Sequence, residues 1–228
     1  ISTVIQFAAL SGEQHTRLLR PAQSQWRIPH AETARHVALE YTRLGIEHIW
    51  AGLDHLLFVV CLLWIAGTGR RMLITITGFT LAHSLTLVLS ALNLLRVPVP
   101  PIEASIALSI VFLACEIARG QKNTLTWRYP IAVSSSFGLL HGLGFAAALS
   151  EIGLPQTERV TGLLFFNLGV EIGQVLFAGA VVALMALVKV WVKNRAQQAS
   201  LQQGARLACS YCVGTVASCW LIERCLGF

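Results

Sequence analysis

The chain has 228 residues, 55% of them hydrophobic and only 12% charged, with a mean hydropathy of +0.65. A soluble domain carries about twice that share of charge, so a soluble globular fold is excluded and an all-α integral membrane protein in a lipid bilayer is expected. The formal charge of +6 is not read as a nucleic-acid footprint, because in a membrane chain the placement of basic residues matters more than their sum.

Residues 1–44 read as an extramembrane segment. Thr3-Val4-Ile5-Gln6-Phe7 has strand character, Ser11-Gly12 is a turn signal, and Thr16 to Ile28 is mixed and polar. The chain opens on Ile1 without a leader pattern, which reads as the tail of a truncated exterior domain. Such a piece has too little core to fold alone. After Pro29, residues Ala31 to Leu44 form an amphipathic pattern with Ala34, Val37, Ala38, Tyr41 and Leu44 on one side. This helix lies on the membrane surface or leads into the first span. His30 and His36 are read as solvated polar residues.

Residues 45–228 read as a six-helix transmembrane bundle. Six apolar runs, each near the roughly 20 residues that cross a bilayer, lie at 46–66, 72–94, 102–118, 130–150, 161–188 and 207–226. The first, third and fifth loops hold Arg70, Arg71, Arg119, Lys122, Arg128, Lys189, Lys193, Arg195 and Arg206, against Arg96, Arg159 and Arg224 at the opposite ends. The excess of basic residues marks the cytoplasmic side. Both termini then face the exterior, the periplasm if the membrane is a bacterial inner membrane.

Within these apolar runs stand groups that hydrocarbon does not tolerate unless they are paired, hydrated or metal-bound. The densest stretch is Gly45-Ile46-Glu47-His48-Ile49 with Gly52-Leu53-Asp54-His55-Leu56-Leu57-Phe58. On one continuous helix, at about 100° per residue, His48 would nearly eclipse His55, and Glu47 would nearly eclipse Asp54. The orientation above carries His48, Asp54, His55, His83, Glu103, His141, Asn167, Glu171 and Gln174 into the outer half of the membrane, with Thr80 and Ser84 beside His83. Glu116 falls at the inner end, where pairing with Arg119 or headgroups is expected. The alternative to a site is an interhelical hydrogen-bonded cluster, but these groups exceed what packing needs.

Small residues add a packing pattern. Gly162, Gly169, Gly173 and Ala180 form a stripe opposite Asn167, Glu171 and Gln174, and Gly138, Gly142 and Gly144 surround His141. Both allow another helix backbone close approach. Cys209 and Cys212, though spaced as a metal or redox pair, are read with the other cysteines as small apolar packing residues.

Imidazoles with carboxylates suit nickel, zinc, cobalt or copper, whereas calcium and magnesium favour oxygen ligands. The candidate ligands are His48, Asp54, His55, His83, His141, Glu171 and Glu103. Glu47, Thr80, Ser84, Asn167 and Gln174 are supporting or entry groups. More donors are present than one ion needs, so some orient others. The chain carries no ATP-binding motif, so any energy for movement comes from a gradient or a partner.

These residues carry a resemblance. The stretch 45–58, Phe79-Thr80-Leu81-Ala82-His83-Ser84, Phe137-Gly138-Leu139-Leu140-His141-Gly142-Leu143-Gly144-Phe145 and Phe166-Asn167-Leu168-Gly169-Val170-Glu171 resemble the HupE/UreJ family. His48, Asp54 and His55 are similar, with one extra residue, to the His-x4-Asp-His of nickel/cobalt transporters. The resemblance implies a nickel-permease-like membrane protein associated with maturation of a metalloenzyme, with a larger N-terminal exterior domain. The expected function is binding and transmembrane movement of a divalent transition metal ion. Two alternatives stand beside it: a membrane-embedded zinc hydrolase drawing on Ser84 or Ser109, and a metal-delivery partner that does not transport.

Overall fold

A computed structural model of the chain describes residues 3–8, 14–19, 33–92, 94, 95, 97–152, 159–191 and 195–227. Strands β1 (Thr3–Ala8) and β2 (Gln14–Leu19) pair antiparallel, with Thr3 opposite Leu19 and Ala8 opposite Gln14. The helices are α1 (Ala34–Ala51), α2 (Leu53–Ala66), α3 (Arg70–Ala91), α4 (Val99–Arg119), the short α5 (Leu125–Arg128), α6 (Pro130–Ile152), α7 (Arg159–Trp191) and α8 (Arg195–Leu226). The expected turn at Ser11-Gly12, His30 and the link from Gly153 lie outside the described residues.

All six apolar runs are helical. Among the described residues, α3, α4, α7 and α8 are long and apolar enough to cross a membrane, and α1 with α2 supplies a fifth if the bent pair is one span. The chain is an integral membrane protein. Its helices turn large apolar side chains outward, including Leu81, Leu85, Leu108, Phe112, Leu164 and Leu184, a surface that water would penalise and lipid accepts. The expected fourth span, α6, is a helix of 23 residues, about 35 Å at about 1.5 Å per residue. Six spans were expected, against four, or five with the bent pair, among the described residues.

The first run differs from expectation. It is not one helix but two, bent by 77° at Gly52. Gly52 has φ −83° and ψ 93°, outside the helical range, and its N–H still caps α1 by donating to the His48 carbonyl at 3.0 Å. Glycine lowers helix stability by about 1 kcal/mol relative to alanine. Here it is also sterically required, since a Cβ would stand 2.7 Å from His55 Nδ1 and 3.2 Å from Asp54 Oδ1. The continuous wall on which His48 eclipses His55 and Glu47 eclipses Asp54 therefore does not exist. α1, in turn, runs without a break through residues 44 and 45.

The expected close approaches are present. A Cβ on Gly138 or Gly142 would strike the α3 backbone at the carbonyls of Phe79 and His83, and Ser134 Oγ donates across the same seam to the Thr75 carbonyl at 2.9 Å. Gly162, Gly169 and Gly173 likewise seat α7 on α1, against Tyr41, Thr42, Ile46 and Ile49. Below the His-bearing end, Phe58, Cys61, Leu62, Ile65, Phe79, Ile110, Leu113 and Ile117 make one buried apolar core between α2, α3, α4 and α8. Glu116 corrects another expectation. It accepts from Thr124 Oγ1 at the start of α5 rather than pairing with Arg119, because the turn after Gly120, which has φ 64°, folds Thr124 back over it.

Gly142→Ala should destabilise the protein by about 1–3 kcal/mol, the usual cost of overpacking, read as a lower unfolding temperature in detergent. Gly179→Ala, which meets nothing within 4 Å, should leave that temperature unchanged or raise it.

Candidate functional site

The break at Gly52 decides the site. It places Asp54 in the first turn of α2, where free N–H groups and the helix dipole favour a carboxylate. Asp54 Oδ1 accepts from the His55 backbone N–H and from His55 Nδ1, both at 2.9 Å. A carboxylate only accepts, so Nδ1 carries the proton and the lone pair lies on Nε2. That nitrogen is buried and has no partner.

His55 is the hub of an imidazole cluster. Its ring centroid lies 4.8 Å from His48 on α1, 6.4 Å from His83 on α3 and 5.3 Å from His141 on α6. The glycine seam brings the last two together, since Gly142 adjoins the His83 carbonyl. His141 is oriented from α4: its Nε2 lies 3.2 Å from Ser109 Oγ, which donates its proton to the Ile106 carbonyl at 2.7 Å. Nε2–H is therefore the donor to Ser109, and the His141 lone pair lies on Nδ1, buried and without a partner. His83 is fully buried with neither ring nitrogen bonded. Buried polar atoms left this way cost about 1–3 kcal/mol each.

Imidazoles that share one ion at about 2.0–2.1 Å bring their centroids to about 5 Å of each other, close to the separations around His55. Among the described residues no three His, Cys, Asp or Glu side chains already stand as a gathered ligand set. Turning the rings about their terminal torsion, a broad one, is the movement that would aim the lone pairs at a common point.

A cleft of about 360 Å³ opens onto this cluster, lined by His48, Asp54, His55, Glu103, His141 and Arg224 among others. Phe58 and Phe79 pack against the rings of the cluster. Their centroids lie 4.9 and 5.2 Å from that of His141, and Phe79 stacks on His83 at 5.9 Å.

Not every expected residue joins this group. Glu171, Asn167, Thr80 and Ser84 line a different cleft, of about 490 Å³, between α3 and α7. Glu171 accepts there from Thr77 Oγ1 at 2.6 Å, and Gln174 accepts from Thr80 Oγ1 at 3.0 Å. Glu47 pairs with Arg43 at 2.6 Å on the exposed side of α1. Ser84 spends its proton on the Thr80 carbonyl at 2.6 Å. Arg224 is an unexpected member: from the far end of α8, its Nη2 lies 3.5 Å from Asp54 Oδ2 and its Nη1 donates to the Glu103 carbonyl at 2.8 Å. As the lone basic residue near the end of the last apolar run it was visible in the sequence, but it was read there only as an orientation marker. Ser109 and Thr77, plain hydroxyls inside helices, gave no signal of their partners.

A family model described as HupE / UreJ protein matches residues 22–224. The chain belongs to the HupE/UreJ family. No curated protein and no solved structure matches it. The match runs well beyond the motifs between residues 45 and 171 that carried the resemblance and takes in both clefts of this HupE/UreJ protein, Arg224 included. Ser109 beside His141 is not arranged as nucleophile and base, since its proton points to a backbone carbonyl.

Nitrogen-15 NMR of imidazole-labelled protein should show His55 as the Nδ1–H tautomer and His141 as the Nε2–H tautomer. Ser109→Ala should mix the His141 forms and leave His55 alone. A mixed His141 signal before that substitution would show that Ser109 does not orient the ring.

Proposed function

We propose that this HupE/UreJ protein binds a divalent transition metal ion at His55, His83 and His141 and passes it through the membrane. The observation that carries the reading is the set of four buried, unbonded ring nitrogens on these three residues, each from a different helix. Two of the rings are also held from behind, by Asp54 and Ser109, in the arrangement that orients metal-binding histidines and raises their basicity. Nitrogen donors with one carboxylate close by fit nickel, zinc, cobalt or copper, and membership of the family favours nickel.

The ion enters through the cleft past His48 and Glu103. Asp54 offsets its charge, and Arg224 must give way as the cation replaces it beside that carboxylate. Phe58 and Phe79 bar the way onward. Passage therefore requires a second state in which the Phe58–Phe79 contact, 5.0 Å between centroids, opens while the cleft closes. The cleft end faces the exterior of a bacterial inner membrane, with six crossings and both termini outside. A metalloenzyme under maturation is the natural recipient of the ion.

Replacing His55, His83 or His141 by Ala should lower nickel affinity or stoichiometry roughly tenfold or more, measured on purified protein. Double variants should lose less than the sum, because one broken site cannot be broken twice. His36→Ala is the control, since His36 is exposed and faces Glu40 at 3.5 Å. Full nickel content in all three core variants would reduce the cluster to packing. For sidedness, a cysteine placed at Thr68 in a cysteine-free background should react only with reagent from the cytoplasm. Reaction from outside would reverse the orientation.

A further inference from the structure

The cleft between α3 and α7 contains chemistry that the histidine cluster does not use. Glu171 Oε2 and Asn167 Oδ1 are both buried and without a hydrogen-bond partner. They lie one helical turn apart on the same face of α7, where side chains four residues apart meet. Asn167 is only 8% exposed, and its amide is fixed by Nδ2 donating to the Leu163 carbonyl at 2.7 Å, which leaves Oδ1 as its buried acceptor without a donor among the described residues.

Among the described residues, the hydroxyl donors lining this cleft are already spent. Thr77 donates to Glu171 Oε1, the single Thr80 proton is taken up by Gln174 Oε1 at 3.0 Å with the Ile76 carbonyl at 3.2 Å, and Ser84 donates to the Thr80 carbonyl. Two neighbouring acceptors with no donor between them call for a bridging proton or cation. The rest of the lining is apolar, with Leu81, Val88, Leu163, Leu164 and Leu168, too few oxygens to replace the shell of a hydrated metal ion, which takes six or so. A single proton satisfies both atoms.

We propose that Glu171 is a proton-carrying site, separate from the histidine cluster, whose loading is coupled to metal movement through α3. Uptake converts the Glu171 carboxylate to the carboxylic acid, and Oε2–H then donates to Asn167 Oδ1. Release restores the carboxylate and returns the proton to water. Among the described residues no other titratable side chain lines the cleft. α3 presents Thr77, Thr80 and Ser84 to it, while His83 on α3 packs against His55 and Phe79. α1 meets the glycine stripe of α7, with Glu40, Arg43 and Glu47 on its exposed side and His48 against Phe166. α2 meets α7 through Val59 and Leu63. α3 thus borders both sites, and the coupling clause rests on the metal reading above.

The test is infrared difference spectroscopy of the full chain in lipid, titrated with acid without metal, alongside nickel binding. A neutral-carboxyl band should appear on acidification. It should vanish in Glu171→Gln and shift in Thr77→Val and Asn167→Ala, which alter its hydrogen bonds without removing the acid. Glu171→Gln should keep full nickel stoichiometry while nickel flux into proteoliposomes loses its dependence on an imposed pH gradient. Three results overturn the proposal: an unchanged spectrum in Glu171→Gln, displacement of the band by sodium at constant pH, or loss of bound nickel in Glu171→Gln. If instead the histidine variants keep their nickel while the Glu171 band persists, the coupling falls and the proton site stands.

Discussion

The site depends on one backbone feature, the interruption at Gly52. An unbroken helix would hold Asp54 and His55 among its own turns, with the Asp54 carboxylate far from any free N–H. The 77° bend instead creates a helix start inside the apolar region. There the unsatisfied amides of the first turn offset the cost of placing a carboxylate where water is scarce. Asp54 can then fix His55, and His55 can face three other imidazoles. The absence of a Cβ at Gly52 is what lets the Asp54–His55 pair close against the turn.

The second constraint is the glycine seam between α3 and α6. Gly138 and Gly142 let α6 lie directly on the α3 carbonyls of Phe79 and His83, so His83 and His141 are brought together by backbone contact rather than by long side chains. In a bilayer, where apolar burial gives helices little reason to associate, such close contact is the main source of attraction. The same seam puts Phe58 and Phe79 against the rings. The aromatic plug and the nitrogen donors therefore belong to one rigid layer, and shifting α6 on α3 moves both.

Much of this was legible in the sequence. Apolar runs at spanning length gave the helices, because nothing else satisfies backbone groups in lipid. The glycine spacing gave two close contacts, and charge depth picked out His55, His83 and His141 as neighbours before any geometry was known. The bend was less legible. A single glycine in an apolar run usually stays helical, and what matters here is the missing Cβ, which leaves the space that the Asp54–His55 pair occupies against the turn. For the same reason the periodicity argument reached the right pair, His48 and His55, by the wrong route: the rings meet across a corner, not along a wall. Glu116 and Thr124 find each other only through the turn at Gly120, which helical spacing cannot foresee. Glu171 shared the depth of the histidines, and depth alone says nothing about which side of α3 a residue occupies.

That division by α3 gives the two clefts their separate characters. Toward α2 and α6 the helix contributes His83, with lone pairs to offer. Toward α7 it contributes Thr77 and Thr80, whose protons are already donated. The first side lacks positive charge at its centre and holds Arg224 at its mouth as the cation nearest Asp54. The second holds two buried oxygens, of Asn167 and Glu171, with no donor to either Asn167 Oδ1 or Glu171 Oε2 among the described residues. Electrostatically the two deficits are alike, each relieved by a positive charge, but the donor chemistry differs: imidazole nitrogens on one side, a carboxylate and an amide oxygen on the other. Because a single helix forms the wall of both, a displacement of α3 that eases one deficit also changes the geometry of the other.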